Sequence, residues 1–237
     1  MTLHRAPGAD QSSASDPQAL AMVSLVCGRI AHDLNNLLAA VEGYAEFIAE
    51  GVADRPLVLA DIAEVRTAAK QGAGFARRLR QVGQLGDAVP EVVDLSRVVR
   101  EAEEQVRLLC GARARAVFEL AADLPAARAD PGQLQLVLLS LVENAVEAVT
   151  DGTEIKVSTL VEGHDVALRV SDQGRGMSAD ARAHLFEPFF TTKPRAMGTG
   201  LGMFIVEAVV RAAGGRVAVV STEGAGTTVT LHLPATA

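Results

Sequence analysis

Leu20 to Ile48 reads LAMVSLVCGRIAHDLNNLLAAVEGYAEFI. Its apolar residues Leu20, Val23, Cys27, Ile30, Leu34, Leu37, Val41, Tyr44 and Ile48 recur in steps that alternate three and four. That spacing predicts the seam of a long amphipathic helix in a coiled-coil-like bundle. His32 lies two residues past a seam position, roughly 200° round the helix from Ile30, so it should face solvent. Asn36 falls one turn below it on the same face, with Asp33 beside it. A histidine shown to water, with a carboxylate and an amide at hand, is either a reactive group or an ordinary surface residue. This helix alone leaves both readings open.

The seam helix should begin near Asp16-Pro17, where Asp can cap and Pro suits the first turn. Gly51 to Pro56 breaks it, and a second periodic run follows through Val58, Ile62, Val65, Ala69, Gly72, Ala76 and Leu79. Two such helices joined by a short turn make an antiparallel hairpin, and pairing two hairpins as a homodimeric four-helix bundle buries the stripe a lone hairpin leaves bare. Residues 1–17, rich in Ala, Ser, Asp and Gly, read as a disordered tail. The hairpin domain is assigned 18–86, with Gly83 to Asp87 as linker, and a second domain 87–237.

Composition narrows the function. Net charge is −7 and no basic block occurs, which argues against nucleic acid and membrane surfaces as partners. The longest apolar run, Leu136 to Val142, is too short to span a bilayer, and the N-terminus has no apolar signal segment. Cys27 and Cys110 form neither a disulfide nor a metal pattern; Cys27, on the seam five residues from His32, reads as a buried structural thiol before a redox switch. A cytoplasmic protein without membrane insertion is the expectation.

In the second domain, Val92 to Asp94 and Ala116 to Leu120 read as strands and Ser96 to Cys110 as a helix. Asp130 to Val149 is a helix: Asp130 caps, Pro131 takes the first position, and Leu134, Val137, Leu138, Leu141, Val142 and Ala145 form its buried face. Strands are expected at Glu154 to Val161, Asp165 to Ser171, Arg216 to Ser221 and Thr227 to Leu233, with a helix at Leu201 to Ala213. Helices mixed with hairpin strands indicate an α+β sandwich, not a doubly wound parallel sheet.

Three glycine-rich points punctuate this domain: Asp172-Gln173-Gly174-Arg175-Gly176, Gly198-Thr199-Gly200-Leu201-Gly202 and Gly224-Ala225-Gly226-Thr227. Glycine lets backbone N–H groups approach a phosphate, and the second point opens directly into a helix, whose dipole favours an anion. No Walker A lysine motif is present. Asn144 is a polar residue inside an otherwise apolar helix; its oxygen is either bonded to nearby backbone or a hard ligand suited to Mg²⁺.

Together with His32-Asp33-Leu34-Asn35-Asn36 and Leu185-Phe186-Glu187-Pro188-Phe189-Phe190-Thr191-Thr192-Lys193, these motifs resemble the histidine kinases of two-component signalling. The nucleotide domain of that family shares the Bergerat fold with gyrase, heat-shock chaperone and mismatch-repair ATPases. Five motifs in the family's order carry the resemblance from about Leu20 to Leu233. It implies ATP and Mg²⁺ as cofactors, a homodimer, and a response regulator receiver domain as partner. It implies that Asn144 ligands Mg²⁺ and that Asp172 accepts a hydrogen bond from the adenine amino group, with Gly174 and Gly176 near the base. The Gly198, Thr199, Gly200, Leu201, Gly202 stretch would hold the phosphates, Phe186 and Phe189 would anchor a mobile lid, Thr227 would support the adenine site, and Lys193 would reach a phosphate. His32 would be the phosphoacceptor, Asp33 its base or orienting group, and Asn36 the residue that orients water if the chain also dephosphorylates its regulator.

A departure bears on the reaction. Where ATP-hydrolysing relatives carry a glutamate, four residues before the Mg²⁺ asparagine, this chain has Ser140, a poor base. An autokinase is therefore expected over a plain ATPase, and also over a relay module without ATP, whose nucleotide motifs should be eroded. No sensor is expected in the roughly 19 residues before Leu20. The input then comes through a separate sensor or regulatory partner, or the chain is an excised core.

Overall fold

Proline and glycine bracket the first two helices, α1 (Pro17–Gly51) and α2 (Pro56–Gly83). In the computed structural model, which describes residues 17–83, 88–193 and 200–236, they form an antiparallel hairpin. Most of the expected tail and of the linker lies outside the described residues. Among the described residues no helix is long and apolar enough to cross a membrane.

The hairpin packs on a different stripe from the seam. Ala31 and Ala45 of α1 are buried against Ile62, Ala69 and Ala76 of α2, while Ile30, Leu37, Val41, Tyr44 and Ile48 stay 41–71% exposed. Ala31, Leu38 and Ala45 each follow a residue of the exposed stripe, so the two stripes lie roughly 100° apart. Small residues bring the helices close: a Cβ on Gly72 would sit 3.0 Å from both terminal methyls of Leu38. One chain supplies α1 with one neighbour, and in a four-helix bundle each helix has two.

The second domain begins with β1 (Glu91–Val93), which pairs antiparallel with β3 (Ala127–Ala129). α3 (Leu95–Cys110) is capped by the Asp94 side chain accepting from Ser96 N, and α4 (Pro131–Ala148) by Asp130 accepting from Gln133 N. A five-stranded mixed sheet follows the order β2-β4-β5-β7-β6. Its strands are β2 (Ala114–Leu120), β4 (Thr153–Glu162), β5 (Asp165–Asp172), β6 (Arg216–Thr222) and β7 (Gly226–Pro234). Only β2 and β4 run parallel. α5 (Ala179–Ala183) and α6 (Gly202–Ala212) lie between β5 and β6. The α+β expectation holds; β3 and α5 were not expected.

Alternation along the strands turns Ile155, Val157, Leu168, Leu231 and Leu233 toward the helices, where the expected face of α4 meets them. Leu138 has no exposed surface. Leu138→Ala is expected to cost about 2–5 kcal/mol of stability, read as a lowered denaturant midpoint. Ala31, Leu79 and Val82 of the hairpin join this same buried cluster, and α2 touches α6. The cluster thus ties the open end of the hairpin to the second domain.

Candidate functional site

The cavity of the second domain opens beside the polar face of α4. Ser140, Asn144 and Glu147 line it at helical spacings of four and three, and the buried Leu141 and Ala145 form the apolar part of the same wall. Among the described residues none of α1 or α2 lines it.

Its floor is the end of β5. Asp172 pairs in register with Thr227 of β7. Its carboxylate accepts from Gly174 N at 2.8 Å and also from the Thr227 backbone N–H. Burial pushes the Asp172 carboxyl above the usual range, and the two N–H donors only partly offset that. The loop after it needs its glycines. A Cβ on Gly174 would lie 2.5 Å from Ala148 O, and Gly176 has φ +63° with Thr222 O only 2.0 Å from where a Cβ would be. Thr227 Oγ1 lies 2.9 Å from Ser221 Oγ.

The opposite wall is the start of α6. Leu201 occupies its N-cap position, buried and without a side-chain cap. Gly202 packs so closely on α4 that a Cβ there would be 2.9 Å from Ser140 Oγ and 3.5 Å from Asn144 Nδ2. Gly200 (φ +64°) accepts at its carbonyl from Phe189 N at 3.0 Å. Phe189 itself has φ +66° and is 63% exposed, a strained conformation for a bulky residue. Of the expected phosphate residues, Gly198 and Thr199 lie outside the described residues.

The structure brings Asn144, Asp172, Gly176, Lys193, Gly200, Gly202 and Thr227 around one cavity. Phe186 and Phe189 do not line it; Leu185 and Phe190 do. The motif's own pattern of adjacent phenylalanines does not say which ring turns inward. The Phe190 ring also lies 5.4 Å from that of His184. His184 bonds Glu187 at 2.9 Å, and that carboxylate raises the His184 pKa.

Glu147 was missed. Lys193 Nζ donates to Asn144 Oδ1 at 3.1 Å and pairs with the Glu147 carboxylate. An ammonium therefore already sits on two hard oxygen donors one turn apart. That donor chemistry fits Mg²⁺, with the ammonium as a stand-in cation. The signal for Glu147 was available: it lies at i+3 from Asn144.

His32 stands apart on α1 with its side chain 69% exposed. Asp33 Oδ1 is 3.3 Å and Asn36 Nδ2 3.4 Å from the same ring nitrogen, Nδ1. The carboxylate asks Nδ1 to donate, the amide asks it to accept, and the charged partner makes the stronger bond. Cys27 packs against the core cluster, and burial raises its pKa, which disfavours the reactive thiolate.

Residues 129–237 match the family described as "Histidine kinase-, DNA gyrase B-, and HSP90-like ATPase". Over 94% of this chain and 25% of its own length, "Sensor kinase CckA" of Brucella abortus is 30% identical. "Sensor histidine kinase ZraS" of Escherichia coli K12 is 35% identical over 86% of this chain and 44% of its own. The chain thus spans less than half the length of these relatives. Among solved structures, full-length ShkA in complex with AMPPNP superimposes with a TM-score of 0.67 at 25% identity, covering 93% of this chain and 46% of that one. The mycobacterial sensor histidine kinase MprB covers 62% of this chain and 98% of its own, with a TM-score of 0.54 at 27% identity.

Proposed function

The chain carries the catalytic core of a two-component histidine kinase, and on that basis we propose that it binds ATP in the α4–α6 cavity. The γ-phosphoryl group goes to His32 and is then passed to an aspartate of a response regulator. The observation that carries the reading is the division of labour: nucleotide-type groups converge on one cavity, while a solvent-facing imidazole with a carboxylate partner stands on a separate helix.

Each residue then has a task. Asp172 accepts from the adenine amino group, beside Gly174 and Gly176. The entry to α6, Gly200 and the N-cap Leu201 followed by Gly202 as the first helical residue, would set phosphate oxygens against the positive end of the helix dipole. Asn144 Oδ1 would hold Mg²⁺, which supplies charge neutralisation at the β- and γ-phosphates. The Asp33 carboxylate keeps the proton on Nδ1 of His32, so the lone pair sits on Nε2. That nitrogen attacks the γ-phosphorus, the bond to the bridging oxygen breaks, and ADP departs. The positive ring then gives its Nδ1 proton toward Asp33. The position where ATP-hydrolysing relatives carry their water-activating glutamate holds Ser140 here, which favours transfer over hydrolysis.

The exposed Ile30–Ile48 stripe supports a homodimer through the hairpin, as the family implies. Asn36, one turn from His32, is the residue proposed to orient water for dephosphorylating the regulator. The proposed setting is the cytoplasm, where ATP is available, with input from a separate or covalently linked sensor. Incubation with γ-labelled ATP and Mg²⁺ tests the proposal. An autokinase gives acid-labile label on the protein, a relay module gives none, and an ATPase gives free phosphate without labelled protein.

A further inference from the structure

The Lys193 ammonium sits on Asn144 Oδ1 with Glu147 as its counter-ion. Asn144 is also the oxygen proposed to hold the nucleotide's metal, so the inference rests on that reading. Lys193 and Glu147 are partly buried, with side chains 24% and 36% exposed. A divalent ion and an ammonium on one amide oxygen would repel each other strongly in such a place. The two cations therefore take turns. We infer that Lys193 is a tethered stand-in for the metal, held by Glu147 as a positioning residue, and that metal-nucleotide entry releases it.

The segment that moves is defined by the same contacts. Lys193 ends the stretch Leu185–Lys193, which holds Phe190 and Thr191 against the cavity. The Lys193 backbone N–H donates to Thr191 Oγ1 at 3.1 Å, so the turn and the ammonium move together. At the strained Phe189, the N–H to Gly200 O bond ties this stretch to the start of α6. Once released, the ammonium finds new counter-ions on the phosphate oxygens. A contact that keeps Asn144 occupied in the free protein thus becomes a phosphate contact in the loaded one, with no new residue required. Only the fraction of molecules with Lys193 released can take the metal-nucleotide, so the contact lowers apparent affinity by that fraction.

A double-mutant cycle tests this on the full chain with Glu147→Gln, Lys193→Met and both together. Amide hydrogen exchange of residues 185–193 is read without ligand, and ADP affinity is read by calorimetry with the metal chelated. Glu147→Gln is expected to speed exchange of the segment and to tighten metal-free ADP about two- to fivefold. In the Lys193→Met background it should do neither, and Lys193→Arg should restore the wild-type exchange. With Mg²⁺ and ADP added, wild type and Glu147→Gln should exchange alike. Unchanged exchange in Glu147→Gln would overturn the inference. So would a Glu147→Gln effect of equal size in the Lys193→Met background, which marks simple charge repulsion of phosphate. Wild type that binds no ADP with or without Mg²⁺ removes the nucleotide reading instead, and the ligand-free exchange arm still judges the Lys193–Glu147 contact by itself.

Discussion

His32→Gln is expected to abolish protein labelling from γ-labelled ATP while leaving Mg²⁺–ADP affinity within about twofold of wild type. The two halves of this result come from different parts of the molecule. His32 is not among the residues that line the cavity, and neither is any other described residue of α1 or α2, so removing an imidazole that is 69% exposed on α1 takes nothing from the cavity. Glutamine keeps the length and polarity of the side chain but has no nucleophilic lone pair on nitrogen. Asp33→Asn should keep label formation but slow it by about 10²–10⁴-fold, the range for loss of one general base. An asparagine there can present either a donor or an acceptor to Nδ1 and no longer selects the tautomer. Asn36→Ala should leave the rate of labelling nearly unchanged and instead slow loss of phosphate from a labelled receiver domain. Label that persists on His32→Gln, or that survives acid, would remove His32 as the acceptor. A parallel fall in ADP affinity would mean that the hairpin shapes the cavity after all.

The parts that were legible in the chain are those where one physical signal acts alone. α4 announces itself through Asp130, Pro131 and an apolar face at 3.6-residue spacing, and the fold buries that face. The glycines at 174, 176, 200 and 202 are each forced by a close backbone or side-chain approach, which is why glycine clusters in the sequence coincide with the cavity wall. The hairpin was harder because two signals overlap on α1. Large apolar residues mark the Ile30 stripe, but the stripe that packs within the chain is Ala31, Leu38 and Ala45 against Ala69, Gly72 and Ala76. Close helix packing is made by small residues, and a hydrophobicity pattern weights large ones. β3 is Ala-Arg-Ala, a three-residue strand of poor β-formers that exists because β1 pairs with it. The Lys193–Glu147 contact joins residues 46 apart in sequence. Spacing along a helix cannot show which distant cation will settle on it.

Asp172→Asn is expected to weaken ATP binding by about 10- to 150-fold, the equivalent of about 1.5–3 kcal/mol for a hydrogen bond to a charged group. An ionised carboxylate offers about four lone-pair sites. Gly174 N and Thr227 N use two of them, which leaves acceptors for the adenine amino group. An asparagine has one oxygen, already claimed by those backbone donors, and it turns an N–H₂ toward the base. For guanine the sign reverses, because its ring carries a carbonyl where adenine carries the amino group. The variant should therefore narrow the preference for ATP over GTP, and that ratio separates base recognition from general damage. Stability points the same way. Burial raises the Asp172 pKa in the folded protein, so the stabilising contribution of its protonated form is present at low pH and lost as pH rises through that pKa. At neutral pH the buried charge costs stability, and Asp172→Asn should leave the melting temperature unchanged or raised. Wild-type ATP affinity should fall as pH drops through the raised Asp172 pKa, earlier than an exposed aspartate would allow, and the variant should lose that dependence. A variant that melts well below wild type and discriminates ATP from GTP as before would show that Asp172 holds the β5–β7 turn together and does not read the base.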